Sequence, residues 1–122
     1  MINKTVLIVD DSEMVRKILT FTLKSAGYTI LQGKDGDDAL ENFDGKDIDL
    51  VITDLHMPNK DGLQLIQDIR GMEYYKFLPI ILFQSNITVD VKDFMKFSGA
   101  TILFDKNSIR EQLVPTVKKM IG

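Results

Sequence analysis

Short apolar runs alternate along the chain with stretches whose apolar residues recur at helical spacing. Thr5-Val6-Leu7-Ile8-Val9 is rich in β-branched residues and apolar on both faces, the mark of a strand buried in a parallel sheet. Val15, Ile18, Leu19, Thr22, Leu23 and Ala26 then share one side of a helix, and Gly27 marks its end. Residues 28–32 read as a second strand and 36–43 as a short helix with Ala39, Leu40 and Phe43 on one side. Leu50-Val51-Ile52-Thr53 is a third buried strand running into Asp54. A loop of turn-forming residues, Met57-Pro58-Asn59 and Asp61-Gly62, leads to a helix marked by Leu63, Ile66 and Ile69 that stops near Gly71. Pro79 opens a fourth strand over 80–83, a tolerable place for proline. Val91, Phe94, Met95 and Ser98 form a weaker helical face before Gly99, and 101–104 is a fifth strand. Ser108 and Glu111 have capping-box spacing at the head of the last helix. Its buried stripe is Ile109, Leu113, Val117, Met120 and Ile121, and Pro115 is expected to kink it or divide it in two.

Five strands alternating with five helices predict an α/β fold: a doubly wound (βα)5 three-layer sandwich around a five-stranded parallel sheet. The 122 residues, 44% hydrophobic and 27% charged, fit a single domain over 1–122. Cysteine is absent, which excludes disulfides, iron–sulfur clusters and thiolate zinc sites. The net charge of −3 argues against a general nucleic-acid binder. No apolar run approaches the roughly 20 residues that span a bilayer, and Met1-Ile2-Asn3-Lys4 carries no signal-peptide pattern. The expected address is the cytoplasm, without membrane insertion.

Ligands of such sheets bind at the carboxyl ends of the strands. Strand one ends in Asp10-Asp11, strand three in Asp54 and strand four in Gln84-Ser85; strand five is followed by Asp105-Lys106. Taken singly, each charge has an ordinary use: Asp10 and Asp11 at a helix N-terminus, Asp54 in a turn, Lys106 on the surface. Together they gather three carboxylates and an ammonium at one edge. Three clustered carboxylates require a compensating cation. Lys106 supplies one charge, and oxygen ligands with water suit Mg²⁺ for the rest. A metal and a lysine beside one nucleophilic carboxylate is an arrangement for phosphoryl transfer.

These residues resemble the receiver domain of bacterial response regulators, most closely the stand-alone chemotaxis (CheY-like) type, from end to end. The resemblance rests on Val6-Leu7-Ile8-Val9-Asp10-Asp11-Ser12, on Asp49 through Asp54-Leu55-His56-Met57-Pro58-Asn59-Lys60-Asp61-Gly62, on Pro79-Ile80-Ile81-Leu82, on Gly99-Ala100-Thr101 and on Lys106. It implies a flavodoxin-like sheet and a phosphorylation-dependent switch of a two-component system, not a conventional enzyme. Asp54 is then the phosphoacceptor, charged by a sensor histidine kinase. Asp11, Asp54 and the backbone carbonyl of His56 are Mg²⁺ ligands, Asp10 acts through a bound water, and Lys106 contacts the phosphoryl oxygens. His56 and Asn86 stand where family members tune the lifetime of the phosphoryl group. Output passes to a downstream protein target through the face formed by the fourth helix, fifth strand and fifth helix. A monomer is expected, with dimerisation allowed.

Three positions depart from that pattern. Gln84 stands where receivers place Thr or Ser, and Ser85 has the wrong strand parity unless a bulge intervenes. Leu103 replaces the usual aromatic residue, and Phe104 again has the opposite parity. Asn107 replaces the proline after the lysine. A cis bond before a non-proline residue costs about 2.5–4 kcal/mol, so a trans bond is expected, with Lys106 held instead by a contact of Asp105 or Asn107. Intact chemistry with altered relay residues leaves three roles open: a switch with modified output coupling, a pseudo-receiver that ignores phosphate, and a phosphate sink. A flavodoxin-type cofactor site is disfavoured because Asp10-Asp11-Ser12-Glu13 would repel a phosphate. Nucleotide-binding G-x-G-x-x-G and G-x-x-x-x-G-K-[ST] patterns are absent.

Overall fold

A computed structural model describes residues 3–122; Met1 and Ile2, from the N-terminal stretch read above, lie outside the described residues. The elements run β1 (Thr5–Val9), α1 (Glu13–Ser25), β2 (Thr29–Gly33), α2 (Gly36–Leu40), β3 (Leu50–Thr53), α3 (Gly62–Arg70), β4 (Ile80–Gln84), α4 (Val89–Ser98), β5 (Ile102–Asp105) and α5 (Ile109–Ile121). All strand pairs are parallel and the order is β2-β1-β3-β4-β5, so the expected doubly wound sheet is the one observed.

Strand alternation divides the core into two layers. Val6, Ile8, Leu50, Ile52, Ile81, Phe83 and Phe104 pack with Leu19 and Leu23 of α1 and Leu113 and Val117 of α5. Leu7, Val9, Val51, Ile80 and Leu82 pack on the other side with Ala39 of α2 and Leu65, Ile66 and Ile69 of α3, with Leu103 and Phe94 at the margin. Leu103 and Phe104 therefore do face opposite layers.

The element ends differ from the sequence reading where backbone hydrogen bonds decide them. Tyr28 does not begin β2. Its N–H closes on the Leu23 carbonyl at 3.1 Å while Gly27 N–H closes on Lys24, with Gly27 at φ 102°. That is a Schellman end, and it takes Tyr28 into the helix terminus. β5 starts at Ile102 instead of Thr101, whose hydroxyl accepts the Ile80 N–H at 3.0 Å. α2 stops at Leu40, short of Phe43.

In α5 the expected Ser108 cap and the division at Pro115 are both missing among the described residues. Ser108 makes no side-chain cap, because a 3₁₀ turn over Lys106–Ser108 already leads into the helix. Pro115 does not divide α5, which runs unbroken to Ile121. The missing N–H would have served the carbonyl of Glu111, an exposed residue in the first turn of the helix.

Candidate functional site

The sheet ladder carries the acidic residues to one edge. Asp10 N–H donates to Gly33 O at 3.1 Å, and Asp54 N–H to Val9 O at 3.0 Å, so both residues extend the strand pairing by one step. Amides just downstream then hold one carboxylate oxygen of each: Ser12 N–H, two residues on, to Asp10 Oδ1 at 2.9 Å, and Leu55 N–H, the next residue, to Asp54 Oδ1 at 2.8 Å. Ser12 caps α1 by accepting from Val15 N–H at 3.3 Å, and Arg16 reaches back to the Asp10 carbonyl at 2.6 Å.

Oxygens of Asp10, Asp11 and Asp54 all lie within 4.8 Å of one another. Asp10 and Asp54 are buried and Asp11 is exposed. Lys106 Nζ, arriving from the far side of the sheet, stands 3.0 Å from Asp54 Oδ2 and 3.1 Å from Asp10 Oδ2, and 5.3 Å from the centre of the Phe83 ring. Burial raises the Asp10 carboxyl above its ordinary range, with the Ser12 amide and Lys106 partly offsetting it. Burial pulls the Lys106 ammonium down, but its hydrogen bond and charge interaction with Asp54, then those with Asp10, outweigh this and raise it.

One ammonium against three carboxylates leaves two negative charges to balance. Buried Asp10 Oδ2 has Lys106 Nζ at 3.1 Å as its charge partner and no further hydrogen bond among the described residues. An all-oxygen donor set whose three carboxylates share a single ammonium fits a hard dication such as Mg²⁺.

The other sequence candidates are distributed around this cluster. His56 is exposed on the loop after β3, and Asn86 is exposed on the loop after β4. Gln84 is buried as the last residue of β4, which pairs without a bulge, and Ser85 beyond it is exposed. No described peptide bond is cis, so Lys106–Asn107 is trans as expected. Asp105 Oδ1 accepts from Asn107 N–H at 2.9 Å and from Asn107 Nδ2 at 3.0 Å, the local contact anticipated above.

The sequence marked Asn59, Asp61 and Gly62 as turn residues but not the contacts by which they and Lys60 hold the β3–α3 loop. Asn59, at φ 65°, donates to buried Asp35 at 2.8 Å, and Gly36 N–H donates to the Lys60 carbonyl at 2.9 Å. Lys60 in turn pairs with Asp68. Asp61 and Gln64 form a capping box at the head of α3. A Cβ on Gly62 would lie 2.2 Å from the Asp54 carbonyl oxygen, so the loop closes beneath Asp54 only with glycine there. The Asp35-Gly36 and Asn59 turn residues were the available signal.

Residues 6–118 match the family model described as the response regulator receiver domain. The chain belongs to this family. Receiver domains are the signalling modules of two-component systems, acting through phosphorylation and not as conventional enzymes. The CAI-1 autoinducer sensor kinase/phosphatase CqsS of Vibrio cholerae is 31% identical over 115 residues, 93% of this chain. The chain spans only 17% of CqsS's length. The chemotaxis protein CheY4 of V. cholerae superposes with a TM-score of 0.91 at 31% identity, covering 98% of this chain and 99% of CheY4. The response regulator TrrA of Thermotoga maritima, solved in complex with Mg²⁺-BeF, gives 0.83 at 31% identity over 96% of this chain and 98% of TrrA. These likenesses carry the flavodoxin-like, CheY-like fold, and no helix among the described residues is long and apolar enough to cross a membrane.

Proposed function

We propose that this chain, as one receiver domain, takes a phosphoryl group onto Asp54 from the phosphohistidine of a sensor kinase and passes the signal on by protein contact in the cytoplasm. The observation that carries this reading is the convergence of Lys106 Nζ on Asp54 at 3.0 Å and Asp10 at 3.1 Å, beside a third carboxylate. Leu55 N–H holds Asp54 Oδ1, which orients the carboxylate for in-line attack on phosphorus. As the new O–P bond forms, the P–N bond to the imidazole breaks and the nitrogen keeps the electron pair. The Lys106 ammonium faces the oxygens that gain charge. Asp11 and Asp54, with Asp10 through water and the His56 carbonyl, would hold Mg²⁺, which supplies Lewis-acid neutralisation of those oxygens. The Mg²⁺-BeF complex of TrrA supports this assignment. His56 and Asn86, exposed on adjacent loops, set the lifetime of the phosphoryl group.

The output half is altered. Gln84, Leu103 and Asn107 change the residues that connect the site to the α4–β5–α5 face, and a chain that keeps the chemistry while muting this relay also fits a phosphate sink. A small acyl phosphate with Mg²⁺ tests the first part. One phosphoryl group per chain is expected by intact mass, absent in Asp54→Asn; equal labelling of that variant would move the acceptor elsewhere. Competition with a second regulator for one kinase separates sink from switch: a sink slows labelling of the second regulator without binding a target.

A further inference from the structure

Lys106 ends a four-carbon stem just beyond β5, the last strand of the sheet. Holding such a side chain at one point costs rotamer entropy, and its backbone must first be fixed. No ladder does this for Lys106, since β5 ends at Asp105. Two side chains do. Asp105 Oδ1 takes both the backbone and the side-chain N–H groups of Asn107, an Asx turn that starts the 3₁₀ turn over Lys106–Ser108. Asn107 Nδ2 also lies 3.4 Å from the carbonyl of Ser85, the residue after β4. That bond is long and weak, but it comes where Gln84 and Asp105 are already cross-strand partners. The residue enclosed by the turn is the one that reaches Asp54 and Asp10.

We infer that Asp105 and Asn107 are positioning residues: their turn aims Lys106 at Asp54 and ties the loop after β5 to the loop after β4. The catalytic consequence rests on the reading of Lys106 given above, whereas the geometric part stands without it. The sequence Asp105-Lys106-Asn107 thus does by side-chain hydrogen bonding what family members arrange with a proline after the lysine.

The test uses the whole chain and two readouts. Labelling by a small acyl phosphate with Mg²⁺ is expected to slow about tenfold in Asp105→Ala, since a displacement of about 1 Å is costly to an oriented reaction. Asp105→Ser, which can rebuild the turn, restores most of the rate, and Asn107→Ala, which keeps its backbone N–H, loses less than Asp105→Ala. In a Lys106→Ala background, Asp105→Ala has no further effect, as required of a residue acting through Lys106. Independently of phosphate, the ¹H–¹³C signal of the Lys106 ε-methylene, identified by its loss in Lys106→Ala, is expected to be displaced by the Phe83 ring. It returns to the ordinary lysine position in Asp105→Ala. An undisplaced signal in the parent protein, an unmoved signal in Asp105→Ala, or equal slowing with and without Lys106 would each overturn the inference. A parent protein that takes no label defeats the phosphoacceptor reading alone, and the ε-methylene signal still decides the positioning.

Discussion

The two halves of the sheet's carboxyl edge are built by different means. On the β1–β3 side, every residue of β3 is buried, and Asp10 and Asp54 take their places from the backbone ladder itself. On the β4–β5 side, β5 is an edge strand whose Ile102 and Leu103 are half-buried, and Lys106 depends on a side-chain turn. The helix beside it, α4, buries only Ser98, while Val89 and Phe97 are 73% and 86% exposed. The backbones of Asp10 and Asp54 are placed by ladder hydrogen bonds, with the loop after Asp54 closed by Gly62 and Asn59. The lysine half is held by particular side chains, and Gln84, Leu103 and Asn107 lie there. The sparse burial of α4 marks it as the part of the fold that opens most easily, since moving elements come from the least stable part of a fold.

The largest expected effect comes from breaking the rigid half. Gly62→Ala puts a methyl group into the Asp54 carbonyl and should cost about 3 kcal/mol in urea unfolding, whereas Gly71→Ala, with nothing nearer than 3.5 Å, is a near-neutral control. Hydrogen exchange should then separate the halves directly: amides of β1 and β3 exchange by global unfolding, and those of α4 by easier local opening. Equal protection in both would erase the contrast.

A smaller effect separates stability from chemistry. The buried Tyr28 hydroxyl has no partner among the described residues, so Tyr28→Phe should stabilise the protein by about 1 kcal/mol at neutral pH and leave Asp54 labelling unchanged. Burial also raises the Tyr28 phenol above 10.0. The unfolded chain therefore releases its proton first, so the stability of the protein is unaffected by this group below pH 10.0 and declines as pH rises from there through the folded value. Tyr28→Phe should flatten that alkaline decline. The smallest change sharpens the relay: Gln84→Thr with Leu103→Tyr, tracked by amide shifts, should enlarge the response of α4 and β5 to phosphorylation with little change in labelling rate.

β1, β3, β4 and β5 were legible because each carries a continuous apolar run, whereas β2, with Thr29, Gln32 and Gly33, has a weaker pattern and was misplaced at its start. The acidic cluster was legible for the same reason, since Asp10, Asp11 and Asp54 directly follow such runs. What escaped depended on contacts that spacing does not encode. Asn59 meets Asp35 across 24 residues, and Tyr28 is claimed by the helix end through a backbone bond that only the Gly27 conformation allows. Ser108 and Glu111 have the right spacing for a capping box but follow a turn that Asp105 has already started.

Amide spectra of the protein with Mg²⁺, before and after phosphorylation by a small acyl phosphate, test the contrast between the halves most directly. Shift changes should concentrate at Asp10, Asp11, residues 54–59 and Ser85, and fade across α4, β5 and α5. Full-scale changes over that whole face would contradict an altered relay, and no change around Asp54 would contradict the site itself.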